Sequence, residues 1–274
     1  MIPFTKAHAC GNDFLIITEE AAGHADRAEL TRRLCARNTG IGADGIEFFS
    51  WTGRRTGRIR LYNADGSMAE ISGNGTRCVA AWMAEALASP PGDALEISTD
   101  AGLRVCRVNG IHRTGGFSVE ITTAMGIPAI ASRTVKLSDG TEIEGAEVST
   151  GNPHFVIAID NEMFDVAGKA WQKIGAQVCN HPDFPNQTNV EFLRVRTPSE
   201  IEIRIFERGV GPTLSSGTGT SASATAALAL HGCKSPLKVL APGGPQIVAW
   251  SGPGDELHLT GTAALIARGE AWPV

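Results

Sequence analysis

The sequence lacks most of the features that would mark a specialised chain. It has one tyrosine, and aromatic residues make up 6% of its 274 positions, so a core thick with rings is not expected. Basic residues are outnumbered: 24 Lys and Arg stand against 29 Asp and Glu, giving a formal charge of −5 and a pI near 5.8. Without a basic stripe, neither nucleic acid nor an anionic membrane is an expected partner. No apolar run approaches the roughly 18 residues that would span a bilayer. The opening MIPFTKAHACGNDF has no apolar stretch followed by a small-residue cleavage site, and it reads as the start of a folded, cytoplasmic domain. The six cysteines (Cys10, Cys35, Cys78, Cys106, Cys179 and Cys233) include no C-x-x-C, and the seven histidines include no H-x-x-x-H. A zinc ribbon, a redox pair and a metal centre are therefore not expected, and the cysteines read as buried, reduced thiols.

Hydrophobic residues at 42% and charged residues at 19% describe an ordinary globular chain, and 32 glycines imply many tight turns. The chain also repeats itself. Ile59-Arg60-Leu61-Tyr62-Asn63 leads to Ser72-Gly73-Asn74-Gly75-Thr76, and Ile203-Arg204-Ile205-Phe206-Glu207 leads to Ser216-Gly217-Thr218-Gly219-Thr220. The two stretches align without a gap at an offset of 144 residues. Gly11-Asn12-Asp13-Phe14 echoes Gly151-Asn152-Pro153-His154 at nearly the same offset, in the same order. Two halves of one fold, related by a pseudo-two-fold axis, account for this.

Each half reads as short strands with one principal helix. Runs such as HACGNDFLIIT, TGRIRLYN, LEISTD, NVEFLRVR, EIEIRIFE and ELHLTGTAALIARGEAW are apolar-rich and bounded by turn residues. No regular crossover helices separate them, so a mixed or antiparallel sheet is predicted rather than a doubly wound one. The segments 75–88 and 219–230 are rich in Ala and poor in charge, which predicts helices buried on all sides. Residues 21–37 predict an amphipathic surface helix, and Gly115-Gly116 suggests a domain boundary.

Each buried helix opens on a small-residue loop. Unpaired N–H groups and partial positive charge at a helix N-terminus favour a carboxylate or phosphate there. Taken singly, Ser72 and Ser216 are ordinary N-caps; their recurrence at matched positions favours a site. A dinucleotide fingerprint at Gly217-Thr218-Gly219-Thr220-Ser221-Ala222 lacks the strand before it and the acidic residue after it. No G-x-S-x-G elbow is present.

With GNDF (11–14), TGIGADGIEF (39–48), YNADGS (62–67), SGNGTRC (72–78), GNPHFV (151–156), HPDFPNQTNVEF (181–192), ERGVG (207–211) and SGTG (216–219), the chain resembles the diaminopimelate epimerases along nearly all its length. The resemblance implies an α+β fold of two pseudo-symmetric domains, each a mixed or antiparallel sheet rolled around a central helix, with the active site in the cleft between them. The expected domains are 1–115 plus 263–274, and 116–262. It implies cofactor-independent interconversion of LL- and meso-diaminopimelate, a lysine and peptidoglycan precursor, on a small zwitterionic amino acid. It also implies a homodimer. Inversion needs a base on one face of the α-carbon and an acid on the other, and two symmetric loops supply one group each.

The family's acid and base are two cysteines, and here the matching positions are Ser72 and Ser216. A hydroxyl is a far weaker acid than a thiol, each pK unit of mismatch being worth about 1.4 kcal/mol. Little epimerisation is therefore expected from the chain as it stands. Cys78, six residues into the helix, is expected to point away. Pro212 stands where the family usually has Glu, and Gly45 where some members have glutamine. The resemblance otherwise assigns Asn12, Asn63, Asn152 and Asn189 to the two ends of the substrate. It gives Glu207 and Arg208 to the far ammonium and carboxylate, and the backbone of Gly73, Asn74, Gly217 and Thr218 to the reacting carboxylate. His154 is assigned to tuning proton affinities. Two alternatives stay open: an inert amino-acid-binding protein or Cys-to-Ser variant, and a divergent isomerase or dehydratase of the same superfamily.

Overall fold

A computed structural model describes residues 1–272. The chain divides into two compact units, Met1–Thr123 joined by the chain from Thr260 onward, and Ala124–Leu259. The Gly115-Gly116 pair forms the turn of a hairpin, both residues at positive φ. The passage between units comes further on, after Thr123, and the return after Leu259; both crossings lie within continuous strands, which carry no linker composition.

The first unit contains β1 (Ile2–Ala9), β2 (Asn12–Thr18), α1 (Glu19–Ala22), α2 (Arg27–Cys35), β3 (Gly45–Trp51), β4 (Thr56–Asn63), β5 (Met68–Ala69), α3 (Gly73–Ala86), β6 (Ala94–Thr99) and β7 (Gly102–His112). It also takes in most of β8 (Phe117–Gly126) and of the last strand, β17 (Leu257–Ala271). β1 pairs antiparallel with β17 and β2, β2 runs parallel to β3, β3 is antiparallel to β4, and β4 runs parallel to β6. β6, β7 and β8 continue antiparallel, and β8 pairs with β17, which closes a barrel.

The second unit contains β9 (Ala129–Lys136), β10 (Glu142–Ser149), β11 (Pro153–Ile159), α4 (Trp171–Cys179), β12 (Asn189–Thr197), β13 (Glu200–Glu207), β14 (Gly211–Thr213), α5 (Gly217–Leu230), β15 (Leu237–Ala241) and β16 (Gly244–Ala249). Its pairings repeat the first set. β10 is antiparallel to β11, β11 parallel to β12, β12 antiparallel to β13, β13 parallel to β15, and β15 antiparallel to β16. Even the registers correspond: Thr56 faces Glu96, and Glu200 faces Lys238. The fold is thus the predicted one, two pseudo-symmetric units of mixed sheet with few helices.

α3 and α5 are the axles of the two units. Eleven of the 14 residues of α3 are buried, and α5 is buried from Gly219 through Ala227. Their small side chains let strands approach from several directions: α5 packs on β10, β11, β12, β13, β15 and β16. A second, outer layer is carried by α2, whose Leu30, Leu34 and Cys35 cover Ile46 and Phe48, and by α4, whose Ile174 and Val178 cover Val190 and Phe192. The helix predicted over 21–37 is interrupted, because Gly23 turns the chain at positive φ and Asp26 caps a new start at Glu29 N.

Alternation along β3 has a consequence. Ile46 and Phe48 face α2, so Glu47 and Phe49 face the barrel interior. Along β12, Val190 and Phe192 face α4, which sends Glu191 and Leu193 toward α5. Both glutamates are completely buried. Neither oxygen of Glu47 has a hydrogen-bond partner among the described residues, and burial pushes its carboxyl up to about 8.

A carboxyl raised in the folded state binds protons that the unfolded chain has already released. Stability from this group is complete below the unfolded value near 4.5 and is lost as pH climbs through about 8. Glu47→Gln keeps the shape and removes the charge. In denaturant titrations the variant should gain on the unmodified protein from pH 5 to pH 9, and parallel pH dependences of the two would contradict this account of Glu47.

Candidate functional site

The geometry starts at the turns that lead into the first strands. Ala9 pairs with Asn12, so Cys10-Gly11 is a two-residue hairpin loop, and both residues have positive φ, 52° and 78°. That is the twist-matched hairpin turn, and it fixes Asn12 at the head of β2. Asn12 Nδ2 donates to Asp44 Oδ2 at 2.6 Å, and Asn12 Oδ1 accepts from Asn74 Nδ2 at 3.2 Å. Asn74 Oδ1 in turn accepts from the wholly buried Arg77. A chain of polar contacts therefore ties the first turn of α3 to the β1–β2 turn. Arg37 braces the outside of this chain on Asp13 (2.9 Å) and Asp44 (2.6 Å), and Lys6 meets Asp13 at 3.0 Å. Burial works to raise the pKa of Asp13, but hydrogen bonds from Arg37 and Lys6 outweigh it and hold the carboxyl below the usual range.

Ser72 is the N-cap of α3. Its Oγ accepts from Gly75 N at 3.0 Å, while its carbonyl receives both Thr76 N and Thr76 Oγ1 at 2.8 Å. Gly73 and Asn74 lie buried in the first turn. Asn63, at the end of β4, donates to Ser67 Oγ at 3.1 Å in an exposed turn. Cys78, on α3, is buried in the hydrophobic core, and burial pushes its thiol well above the ordinary range. Cys106 is likewise pushed up, to about 11. Buried thiols of this kind are inert as acids or bases at neutral pH.

The second unit repeats the arrangement. Ser216 caps α5, its Oγ accepting from Gly219 N at 3.1 Å and lying 3.3 Å from Thr218 Oγ1. Asn152, the counterpart of Asn12, donates to Thr218 Oγ1 at 3.4 Å. Its Oδ1 meets His154 Nε2 at 2.9 Å, and His154 Nδ1 meets Glu191 Oε1 at 2.8 Å. The imidazole and carboxyl are both fully buried. Acceptor oxygens thus stand at both ring nitrogens, whereas a neutral imidazole carries one N–H. The two contacts hold the ring between Asn152 and Glu191.

Asn189 opens β12. Its Nδ2 donates to Pro153 O at 3.1 Å and its Oδ1 accepts from Arg208 N at 3.0 Å. The half-buried Glu207 ends β13, and the exposed Arg208 guanidinium reaches Asn186 O at 3.3 Å. Asn189 therefore fixes the backbone from which the predicted substrate clamp projects. Pro212 lies exposed in the short strand β14, paired with Phe206.

In the first unit the structure gathers Asn12, Ser72, Gly73 and Asn74 at the start of α3. In the second it gathers Asn152, His154, Ser216, Gly217 and Thr218 at the start of α5, with Asn189 and Arg208 linked beside Pro153. Sequence reasoning did not single out Asp44, Arg77, Glu47 or Glu191. A signal for the last two was present. Ile46-Glu47-Phe48 and Val190-Glu191-Phe192 place an acid within apolar strand residues, at the same offset as the serines.

Comparison with known proteins agrees with this geometry. The family model described as diaminopimelate epimerase matches residues 4–128 and 147–266. The diaminopimelate epimerase of Desulfitobacterium hafniense is 34% identical over 283 residues, covering 96% of this chain and 96% of that protein. Among solved structures, a phenazine biosynthesis protein of the PhzF family from Bacillus anthracis has a TM-score of 0.72 at 17% identity, each chain covered to 99%. A probable proline racemase from Agrobacterium radiobacter K84 has a TM-score of 0.73 at 15% identity, covering 99% of this chain and 93% of that one. These two share the fold. The repeated capped helices, the match across both units and the identity over nearly the whole length lead to one conclusion: the chain belongs to the diaminopimelate epimerase family, and is an isomerase of that kind.

Proposed function

We propose that this chain acts at the α-carbon of diaminopimelate without a cofactor, Ser72 and Ser216 each exchanging a proton with that carbon. The observation that carries the reading is the constellation built twice: a serine-capped, buried helix start, an asparagine tied to its first turn, and a glycine that keeps the backbone open. Helix-terminal N–H groups of Gly73, Asn74, Gly217 and Thr218 suit the reacting carboxylate and stabilise the negative charge that develops when the α-proton leaves. Asn12, Asn63, Asn152 and Asn189 supply amide contacts to the substrate's two ends. Glu207 suits the far ammonium, and the Arg208 fork suits the far carboxylate. The same reading puts the reaction in the cytoplasm and pairs two copies of the chain, and it requires no metal.

The serines set the rate. A hydroxyl gives up its proton less readily than a thiol by several pK units, so turnover is slower than a thiol pair would support. An inert binding protein is the competing reading, and it is favoured by the loss of both thiols.

Calorimetry with LL- and meso-diaminopimelate should show binding, and Arg208→Ala should weaken it by roughly tenfold or more, the worth of a charge-assisted pair. Binding of a monocarboxylate, with no heat from either isomer, would move the chain to another branch of the superfamily. Deuterium wash-in at the α-position separates enzyme from binding module. Ser72→Cys combined with Ser216→Cys should raise wash-in by at least about a hundredfold, the usual scale of acid–base catalysis. Either replacement alone should do much less. A double variant that binds the ligand but stays silent would refute the assignment of these two positions.

A further inference from the structure

Arg77, on α3, is completely buried. A guanidinium keeps its charge in such a place, and a buried charge normally has a counter-ion. Here Nε and Nη1 have no hydrogen-bond partner among the described residues. The titratable groups that face Arg77 are thiols: Cys10 in the β1–β2 turn, Cys78 on α3 itself and Cys106 on β7. Burial keeps Cys78 and Cys106 protonated, so neither balances the charge. Glu47 of β3 comes against the same helix start at Gly75, but neither of its oxygens meets the guanidinium. The fold does not ask for a cation at this position. Its counterpart in the repeat, 144 residues on, is Ser221, equally buried in α5, whose hydroxyl bonds back to Gly217 O at 2.9 Å.

Helix side chains lean toward the N-terminus, and this one returns to the first turn, where Nη2 donates to Asn74 Oδ1. Asn74 Nδ2 donates to Asn12 Oδ1 at 3.2 Å, and Asn12 Nδ2 to Asp44 Oδ2 at 2.6 Å. The two ends dictate the sense of this chain. A guanidinium only donates and a carboxylate only accepts, so both amide oxygens are turned toward Arg77 and both Nδ2 groups away from it. Each Nδ2 keeps a second N–H. The backbone N–H groups of Gly73 and Asn74 have no carbonyl to reach within the helix, while Ser72 takes up Gly75 N and Thr76 N. The start of α3 therefore offers N–H donors, with an unbalanced positive charge behind them. In a dry interior that charge acts strongly, and a hydrogen bond from a cation polarises the amides that follow it. The start of α5 lacks this polarity, since Thr218 stands in the place of Asn74 and a hydroxyl turns either way.

We propose that Arg77 is the buried counter-charge that makes the start of α3 an anion site, selecting a carboxylate over a neutral group of the same shape. This rests on the reading that the reacting carboxylate is held there. Arg77 is a positioning residue: it acts through Asn74 and Asn12, whose amides it orients, and the bound anion supplies the balance that the folded chain leaves out.

Ser72→Cys in the full-length chain supplies a probe that needs no substrate. Alkylation of the introduced thiol by iodoacetamide, followed against pH by peptide mass so that Cys10 and the other thiols are counted apart, reads its pKa. It should lie below the ordinary value of about 8.5 and rise by at least about one unit when Arg77→Met is added, a tenfold loss of thiolate. Iodoacetate and iodoacetamide differ by a carboxylate against an amide, and the ratio of their rates, corrected for thiolate, should fall with the same change. Arg77→Lys keeps the charge and should retain most of both effects. A pKa and a rate ratio unmoved by Arg77→Met would overturn the proposal. A pKa at or above the ordinary value in Ser72→Cys alone would overturn it even if no variant at position 77 folded. Calorimetry then tests the ligand. Arg77→Met should weaken diaminopimelate binding about tenfold or more, and equal binding would overturn the proposal. A chain that shows both probe effects and binds neither isomer keeps the anion site and loses the substrate reading.

Discussion

Everything in each unit is arranged around one buried helix start. An α-helix begins with backbone N–H groups that have no partner in the helix, and leaving them unpaired in a core is costly. Here a serine hydroxyl takes the N–H three residues on, at 3.0 Å in one unit and 3.1 Å in the other. An asparagine from a neighbouring turn reaches the same first turn, Asn12 through Asn74 and Asn152 through Thr218. The small residues that follow let strands wrap the helix closely. Fold and site are therefore one construction: the groups that make a helix end tolerable inside a protein are also those that would hold a carboxylate there.

Much of this was legible in the sequence because the repeat doubled every weak signal. A lone Ser-Gly-Asn-Gly is an N-cap like any other, but its recurrence 144 residues later with Ser-Gly-Thr-Gly marked both helix starts. Strand character was readable where alternation was strict, as in Thr56–Asn63 and Glu200–Glu207. The outer layer was less visible. Residues 21–37 suggested one helix, yet Gly23 and the Asp26 cap break it in two, and α4 carried no clear signal of its own. His8-Ala9-Cys10-Gly11-Asn12 read as part of a strand and is a hairpin turn, because Cys10 takes a left-handed conformation that its side chain does not announce.

The glutamates show a different limit. Local pattern treats an acid among apolar strand residues as the solvent-facing member of an alternation. That rule fails when both faces of the strand are covered, by α2 and α3 on one side of the repeat and by α4 and α5 on the other. Only the coverage shows that Glu47 and Glu191 have no water to face. The same coverage explains why Cys78 is unsuited to proton transfer despite lying six residues from Ser72: burial outweighs the charge of the neighbouring Arg77 and keeps the thiol protonated.

The strand β17 has a consequence for how the protein is made. Ile2 pairs with Ala271 and Phe4 with Gly269, so a strand translated before the second unit pairs with one translated after it. The second unit, continuous from Ala124 to Leu259, has all its own strands in hand while the barrel of the first still lacks one. A nascent chain emerging at about 5–20 residues per second thus carries an open edge at β1 through the synthesis of the whole second unit. Lys6, near the middle of that edge strand, puts a charge on it, the kind of residue that discourages unwanted strand pairing. Order of synthesis and order of closure run opposite ways, and the unit begun first is completed last.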